Sequence, residues 1–353
     1  MTSAEVASKA STVHQPGESR APDHGLDNPN NRTTMKAAVL TGEREWSIRE
    51  APVPEPDPTQ VRVRLEGCGV CGSNMPPWEG RPWFGYPFDP GNPGHEGWGA
   101  VDAVGSEVTE FNIGDRVTML SYHAFAEFDV AEASAVVRLP DALKERPFPG
   151  EALGCAMNVW RRAEIRSGDT VAIVGLGFLG SLVAQLAVRE GARVIAITRR
   201  ESALDIARSF GISDRIVFDA IDPVTDRVNE ITAGNLCDVV IEATGFADPL
   251  TLAGHLTGIR SKLVIAGFHQ DGPREINMQE WNWRGIDVIN AHERDPEMYR
   301  SGMKDAVEAV ASGRLDPTPL YTHAYSLHEI NRAFETAHDR PDGFMKSLVL
   351  TGA

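Results

Sequence analysis

A chain of 353 residues is longer than one hydrophobic core usually supports and predicts two domains. Its 42% hydrophobic and 24% charged residues are those of a globular protein, which sets aside disordered, fibrous and membrane classes; no apolar run has bilayer-spanning length. A formal net charge of −16 opposes binding to phosphate backbones and argues against a nucleic-acid partner.

Residues 1–34 are Ser-, Pro-, Gly- and Asn-rich, with no apolar stretch of signal-peptide length, and read as a disordered extension. Order is expected to begin with the apolar run Met35 to Leu40. From there to about Leu139, short β-like runs such as Val61 to Leu65 and Gly99 to Val104 alternate with Gly and Pro clusters, predicting an irregular β domain. Between them, Asn74 to Gly94 reads as a long loop and hence as a lining for a site. Four scattered cysteines, Cys68, Cys71, Cys155 and Cys237, are too few for a disulfide framework and fit a reducing cytoplasm.

Cys68 and Cys71 form a C-x-x-C that leaves a strand rather than opening a βαβ helix, unlike a redox pair. No further clustered thiolates or imidazoles complete a structural zinc site, which leaves one reactive cysteine. His95 and Glu96 follow, flanked by Gly94 and Gly97; with Cys71 they offer the sulfur, nitrogen and oxygen donors that suit zinc. The alternative is that the His-Glu pair is ordinary surface chemistry.

Near Pro147 the texture changes. Strand candidates Thr170 to Val174, Arg193 to Ile197, Asp238 to Ile241, Lys262 to Ala266 and Asp287 to Asn290 alternate with amphipathic stretches, the pattern of a parallel sheet covered on both faces. After the first of these comes Gly175-Leu176-Gly177-Phe178-Leu179-Gly180, a G-x-G-x-x-G with strand before and helix after. Gly175 permits the turn, Gly177 the approach of a pyrophosphate, Gly180 the packing of helix on strand; the alternative is a tight turn and nothing more. The next strand ends in Thr198-Arg199-Arg200, where an NAD enzyme places an acidic residue on the ribose. Two guanidiniums there suit a 2′-phosphate and predict a preference for NADP over NAD, unless they are merely solvated surface charges. Thr244 and Gly267, at two later strand ends, are expected to support the nicotinamide, the alternative being that both stretches are mere turns. The chain closes with an apolar strand, Ser347 to Leu350.

From Met35 to Leu350 the chain resembles the zinc-containing medium-chain dehydrogenase/reductase family. The family motifs G-x-C-G-S-D, G-H-E-x-x-G-x-V and G-x-G-x-x-G occur in order at Gly69 to Asn74, Gly94 to Val101 and Gly175 to Gly180. The resemblance implies an α/β protein: a chaperonin-10-like β catalytic domain, residues 35–155 and 320–353, and a doubly wound Rossmann domain, residues 156–319, with the active site between them. It implies one catalytic zinc on Cys71 and His95, with Glu96 or Glu151, the latter 24 residues before Gly175 as in polyol dehydrogenases, completing the set. Ser73 is implied as the first proton acceptor, and the assembly as a homodimer or homotetramer pairing through Asp287 to Asn290. No cysteine lies between Cys71 and Cys155, so the second, structural zinc of many members is not expected. The family's Asp after Cys-Gly-Ser is Asn74 here; its amide oxygen is expected to orient the ligand histidine in place of a carboxylate.

A zinc with an open position acts as a Lewis acid on an alcohol or ketone oxygen. The substrate is expected to be a polar secondary alcohol or ketone of sugar, polyol or cyclitol type. Besides the Glu151 spacing, Asn74, Trp78, Trp83, Asn158, Trp281, Trp283, His292 and Glu293 supply aromatic and hydrogen-bonding groups in segments expected to line the cleft, the alternative being that the tryptophans simply pack loops onto the β domain. Against naming the substrate from that branch, its Phe-Arg-Tyr segment is replaced by Asp287-Val288-Ile289. Two other readings stay open: a metal-free reductase of the same fold, acting on quinones or enones, and a catalytically idle dinucleotide-binding protein.

Overall fold

The computed structural model describes residues 32–352; the extension expected over residues 1–34 lies, up to residue 31, outside the described residues. Seven strands come first: β1 (Thr34–Gly42), β2 (Glu45–Pro52), β3 (Gln60–Gly69), β4 (Gly97–Val104), β5 (Arg116–Met119), β6 (Phe128–Glu132) and β7 (Val136–Arg138). In β3 the alternation expected of a half-buried strand is plain: Val61, Val63 and Leu65 are buried while Arg62 and Arg64 face away. The stretch from Asn74 onward is not all loop, because the short helix α1 (Met75–Trp78) opens it.

Helix α2 (Gly150–Ala163) then leads into β8 (Thr170–Val174), α3 (Phe178–Glu190), β9 (Arg193–Thr198), α4 (Glu201–Ser209), β10 (Asp214–Val217), α5 (Ile221–Ile231), β11 (Cys237–Glu242), α6 (Ala247–Leu256), β12 (Thr257–Ile265), α7 (Met278–Arg284) and β13 (Asp287–Asn290). Their six strands form one parallel sheet in the order β10-β9-β8-β11-β12-β13. Ala172 and Val174 pack on one face of it, Val171 and Ile173 on the other; burial on both faces explains a strand without polar alternation. β10, missed in the sequence, is a half-exposed edge strand opened by Asp214 and Arg215, so it carries neither an apolar run nor a clean alternation. Strand order reverses between β8 and β11, and ligands of such sheets bind beyond the carboxyl ends there.

The chain ends with α8 (Pro296–Ala311), β14 (His323–Ser326), α9 (Ile330–Asp339) and β15 (Ser347–Leu350). β15 pairs antiparallel with β3, Leu348 opposite Gly69 and Val349 opposite Cys68, which carries Lys346 to the edge of the Cys71 segment. α9 packs on the N-terminal β region through Phe334, whose ring sits 5.5 Å from Phe125 and 4.9 Å from Trp46. Among the described residues no helix is long and apolar enough to cross a membrane.

Candidate active site

Cys71 leaves β3 at the start of a single 3-10 turn, Gly72–Asn74, that folds the next residues back on it. The backbone N–H of Cys71 donates to Asn74 Oδ1 (2.9 Å), while Asn74 Nδ2 donates to the Pro93 carbonyl (2.9 Å). Asn74 thereby staples the cysteine turn to the His95 turn. Its amide oxygen does not orient the histidine as expected: it accepts from the Cys71 amide, and it is Asn74 Nδ2 that lies 3.4 Å from His95 Nδ1. His95 instead places Nδ1 2.9 Å from the Pro93 carbonyl, so Nδ1 carries a hydrogen and Nε2 is the nitrogen that gains a free lone pair when the ring gives up a proton. Nε2 faces Ser73 Oγ at 3.4 Å, and the same hydroxyl donates to Cys71 Sγ at 3.2 Å.

Donor atoms of Cys71, His95 and Glu96 all lie within 4.8 Å of one another. This set fits zinc: one sulfur, one imidazole nitrogen that ligates once its proton is displaced, and one carboxylate whose Oε2 is buried without a hydrogen-bond partner. Burial works against a positive His95, but the hydrogen bond to the Cys71 sulfur, its negative charge and the charges of Glu151 and Glu96 outweigh it and raise the pKa to about 10.

Glu96 has a partner that the sequence did not announce. Lys346 is buried, and its Nζ donates to Glu96 Oε1 at 2.7 Å while lying equally near Oε2, off the direction of a hydrogen bond to it. Burial lowers the Lys346 pKa, yet Glu96 and Cys71 together raise it, so the ammonium stays charged. The same Nζ sits 4.8 Å above the ring of Phe178, the first residue of α3, and so joins the Cys71 cluster to the glycine loop. A single lysine in an otherwise apolar terminal segment was the available signal.

Glu151 lies in the first turn of α2, buried, and accepts from Cys155 Sγ at 3.1 Å. Burial raises its pKa against the opposing charge of His95. It stands within electrostatic reach of His95 but outside the tight group that Cys71, His95 and Glu96 form.

In the glycine loop, Gly175 has φ +106°, and a Cβ on Gly180 would fall 2.0 Å from the Gly175 carbonyl oxygen. Neither position accepts a side chain without rebuilding the turn. Gly177 caps α3 and nothing lies within 4 Å of where its Cβ would stand, so the helix N-terminus at Phe178 and Leu179 is open to a phosphate. Thr198 is buried at the end of β9. The two arginines after it part ways. Arg199 is exposed, stacked 5.4 Å from Phe218 and 3.9 Å from Asp248. Arg200 turns inward and donates to the carbonyls of Leu176 (3.1 Å) and Phe344, tying the glycine loop to the segment before β15. The expected pair is therefore one outward guanidinium and one brace.

The tryptophans expected around a substrate do not converge. Trp78 is 1% exposed and packs on Phe334; Trp281 is buried in the core behind the parallel sheet; Trp283 is 91% exposed on the outer face of α7. Large aromatic surfaces were drawn to cores, which is their commoner use. Asn158 is buried, its amide donating to the Met298 carbonyl and accepting from Arg161. Trp83 stays exposed beside Phe84, His292 stacks on Phe268 with centroids 5.4 Å apart, and Glu293 pairs with Arg162. Thr244 and Gly267 do lie at the strand ends expected of them, after β11 and β12.

Residues 57–141 match the model of the alcohol dehydrogenase GroES-like domain and residues 179–309 that of the zinc-binding dehydrogenase. A sorbitol dehydrogenase of Halalkalibacterium halodurans is 26% identical over 335 residues, covering 85% of this chain and 95% of the relative. Alcohol dehydrogenase notN of an Aspergillus species is 30% identical over 255 residues, covering 63% of this chain and 73% of the relative. The crystal structure of a Sinorhizobium meliloti 1021 protein bound to NADP superposes with a TM-score of 0.79 at 26% identity, over 91% of this chain and all of that one. The chain belongs to the zinc-containing medium-chain dehydrogenase/reductase family, with a GroES-like N-terminal domain followed by a Rossmann-type dinucleotide-binding domain.

Proposed function

We propose that this chain is a zinc-dependent oxidoreductase that transfers a hydride between a nicotinamide dinucleotide, preferably NADP(H), and a polar secondary alcohol or ketone of sugar, polyol or cyclitol type. The observation that carries it is the approach of Cys71, His95 and Glu96 donor atoms to within 4.8 Å of one another beside the glycine loop. A metal-free reductase has no use for that set. One zinc would be held by Cys71 and His95, completed by Glu96 or Glu151. Bound there, it supplies Lewis acidity toward an alcohol or carbonyl oxygen.

The chain's own residues do the rest. The Pro93 carbonyl holds the hydrogen on His95 Nδ1 and so keeps Nε2 a donor to the metal. Ser73 Oγ, between Cys71 and His95, is the first acceptor for the alcohol proton. The amides at the start of α3 take the pyrophosphate, and Arg199 meets the 2′-phosphate; support for the second point comes from the relative seen with NADP. The sugar or polyol class rests on relatives named sorbitol dehydrogenase, since the tryptophans do not build a sugar platform.

A panel of polyols, sugars, cyclitols and simple secondary alcohols, followed by reduced-cofactor absorbance, tests the substrate class. Specificity constants highest for a polar member support it. A simple aliphatic alcohol such as 2-butanol outperforming every polar candidate would overturn it.

A further inference from the structure

Glu242, the last residue of β11, is fully buried and gathers two turns around itself. Its main-chain carbonyl accepts from the amides of Ala266 (2.8 Å) and Gly267 (2.9 Å), in the turn that follows β12. Its Oε1 accepts from the amides of Thr244 (2.7 Å) and Gly245 (3.0 Å) and from the Thr244 hydroxyl. Its Oε2 accepts from His269 Nε2 at 3.0 Å. One residue thus fixes the spacing between the turns after two neighbouring strands.

His269 is itself held from the other side. Arg274 Nε donates to His269 Nδ1 at 2.9 Å, and a guanidinium has no acceptor to offer. Nδ1 must therefore be the bare nitrogen, Nε2 the one that carries hydrogen, and the imidazole neutral in a single tautomer. Arg274 Nη2 goes on to the Gly245 carbonyl at 3.0 Å, and its guanidinium also pairs with Asp271. The bonds close a circuit: Glu242 to His269, His269 to Arg274, Arg274 to Gly245, and Gly245 back to Glu242. Only a side chain with a donor and an acceptor on opposite edges closes it.

The place of this circuit gives it a use. A dinucleotide at the switch point lays its pyrophosphate on the glycine loop after β8 and its adenosine half toward β9, whose end reads the ribose. The nicotinamide half then falls on the side of β11 and β12, where the two turns are. We propose that His269, clamped between Glu242 and Arg274, is a positioning residue for the nicotinamide half of the cofactor. The proposal rests on the reading of this sheet as a dinucleotide site.

The test is equilibrium binding of NADH and NADPH, each against the same molecule without nicotinamide, ADP-ribose and its 2′-phosphate, to the full chain. His269→Leu loses both contacts and is expected to bind the whole dinucleotides about tenfold more weakly, the loss typical of hydrogen bonds to charged groups. Its affinity for the truncated ligands and its zinc content stay as in the parent. His269→Gln keeps a donor for Glu242 and is expected to recover most of the loss; His269→Asn, which keeps an acceptor for Arg274 only, is not. These two carry the comparison if the leucine variant fails to fold. Unchanged dinucleotide binding in His269→Leu, or equal weakening of whole and truncated ligands without rescue by glutamine, overturns the proposal. A parent that binds no dinucleotide overturns instead the reading beneath it.

Discussion

Lys346 and Glu96 form a buried ion pair, ammonium to carboxylate 2.7 Å, 250 residues apart in the chain and brought together by the pairing of β15 with β3. It sets a lysine where a divalent cation would compete for the same carboxylate. Removing one member of such a pair leaves an uncompensated buried charge and costs about 3–5 kcal/mol. Lys346→Met is therefore expected to lower the stability of the metal-free protein by that amount in urea unfolding. Added zinc should restore more stability to this variant than it gives the parent, because the ion replaces the missing cation. Equal zinc effects on both proteins would count against Glu96 as part of the metal group.

Metal uptake should release protons. With its pKa raised to about 10, His95 is protonated at neutral pH in the metal-free protein, and zinc binds only the neutral imidazole. Because the raised value favours the protonated form, apparent zinc affinity is expected to climb about tenfold per pH unit for each proton displaced, through the range below 10. Calorimetric titration at neutral pH in buffers of different ionisation enthalpy reads the protons directly. A heat independent of buffer would contradict the His95 assignment.

Arg199 and Arg200 are expected to behave differently. Arg199→Ala should raise the Michaelis constant for NADP about tenfold with little change for NAD, the size of a lost charge-assisted hydrogen bond. Arg200→Ala removes the brace between Leu176 and Phe344 and should weaken both cofactors alike while lowering the melting temperature. Steady-state kinetics with both cofactors separate the two patterns, and a phosphate-selective loss in Arg200→Ala would reverse the assignment.

β13 is, with β10, one of the two outer strands of the parallel sheet, with Val288 39% exposed. Unpaired edges of this kind invite a second strand, and a charge on them prevents it. The homodimer or homotetramer that the family resemblance implies, pairing through Asp287 to Asn290, therefore predicts a homo-oligomer in light scattering that Val288→Lys converts to monomers with the parent's secondary structure. A monomeric parent at micromolar concentration would contradict it.

How much of this was legible in the sequence follows from the range of each interaction. The glycine loop, the strands beside it and the Cys71-to-Asn74 and Gly94-to-Val101 segments are local patterns, fixed by turn sterics and burial on two faces, and they stand where the sequence placed them. β10 was lost because an exposed edge strand has no apolar signature. Lys346, Glu242 and His269 draw their meaning from partners on other elements, which no spacing rule reports. The tryptophans misled for the opposite reason: a residue type apt for sugar faces is more often core. Arg200 shows the same limit, since only the segment before β15, 144 residues away, explains where its guanidinium goes.

The central claim is a zinc built on Cys71, and metal content of the Cys71→Ala variant tests it most directly. The parent chain should carry about one zinc and reduce or oxidise its best substrate, while the variant, left with one nitrogen and one oxygen donor, should lose both metal and turnover yet still bind the dinucleotide. Stoichiometric zinc retained in Cys71→Ala would contradict the account.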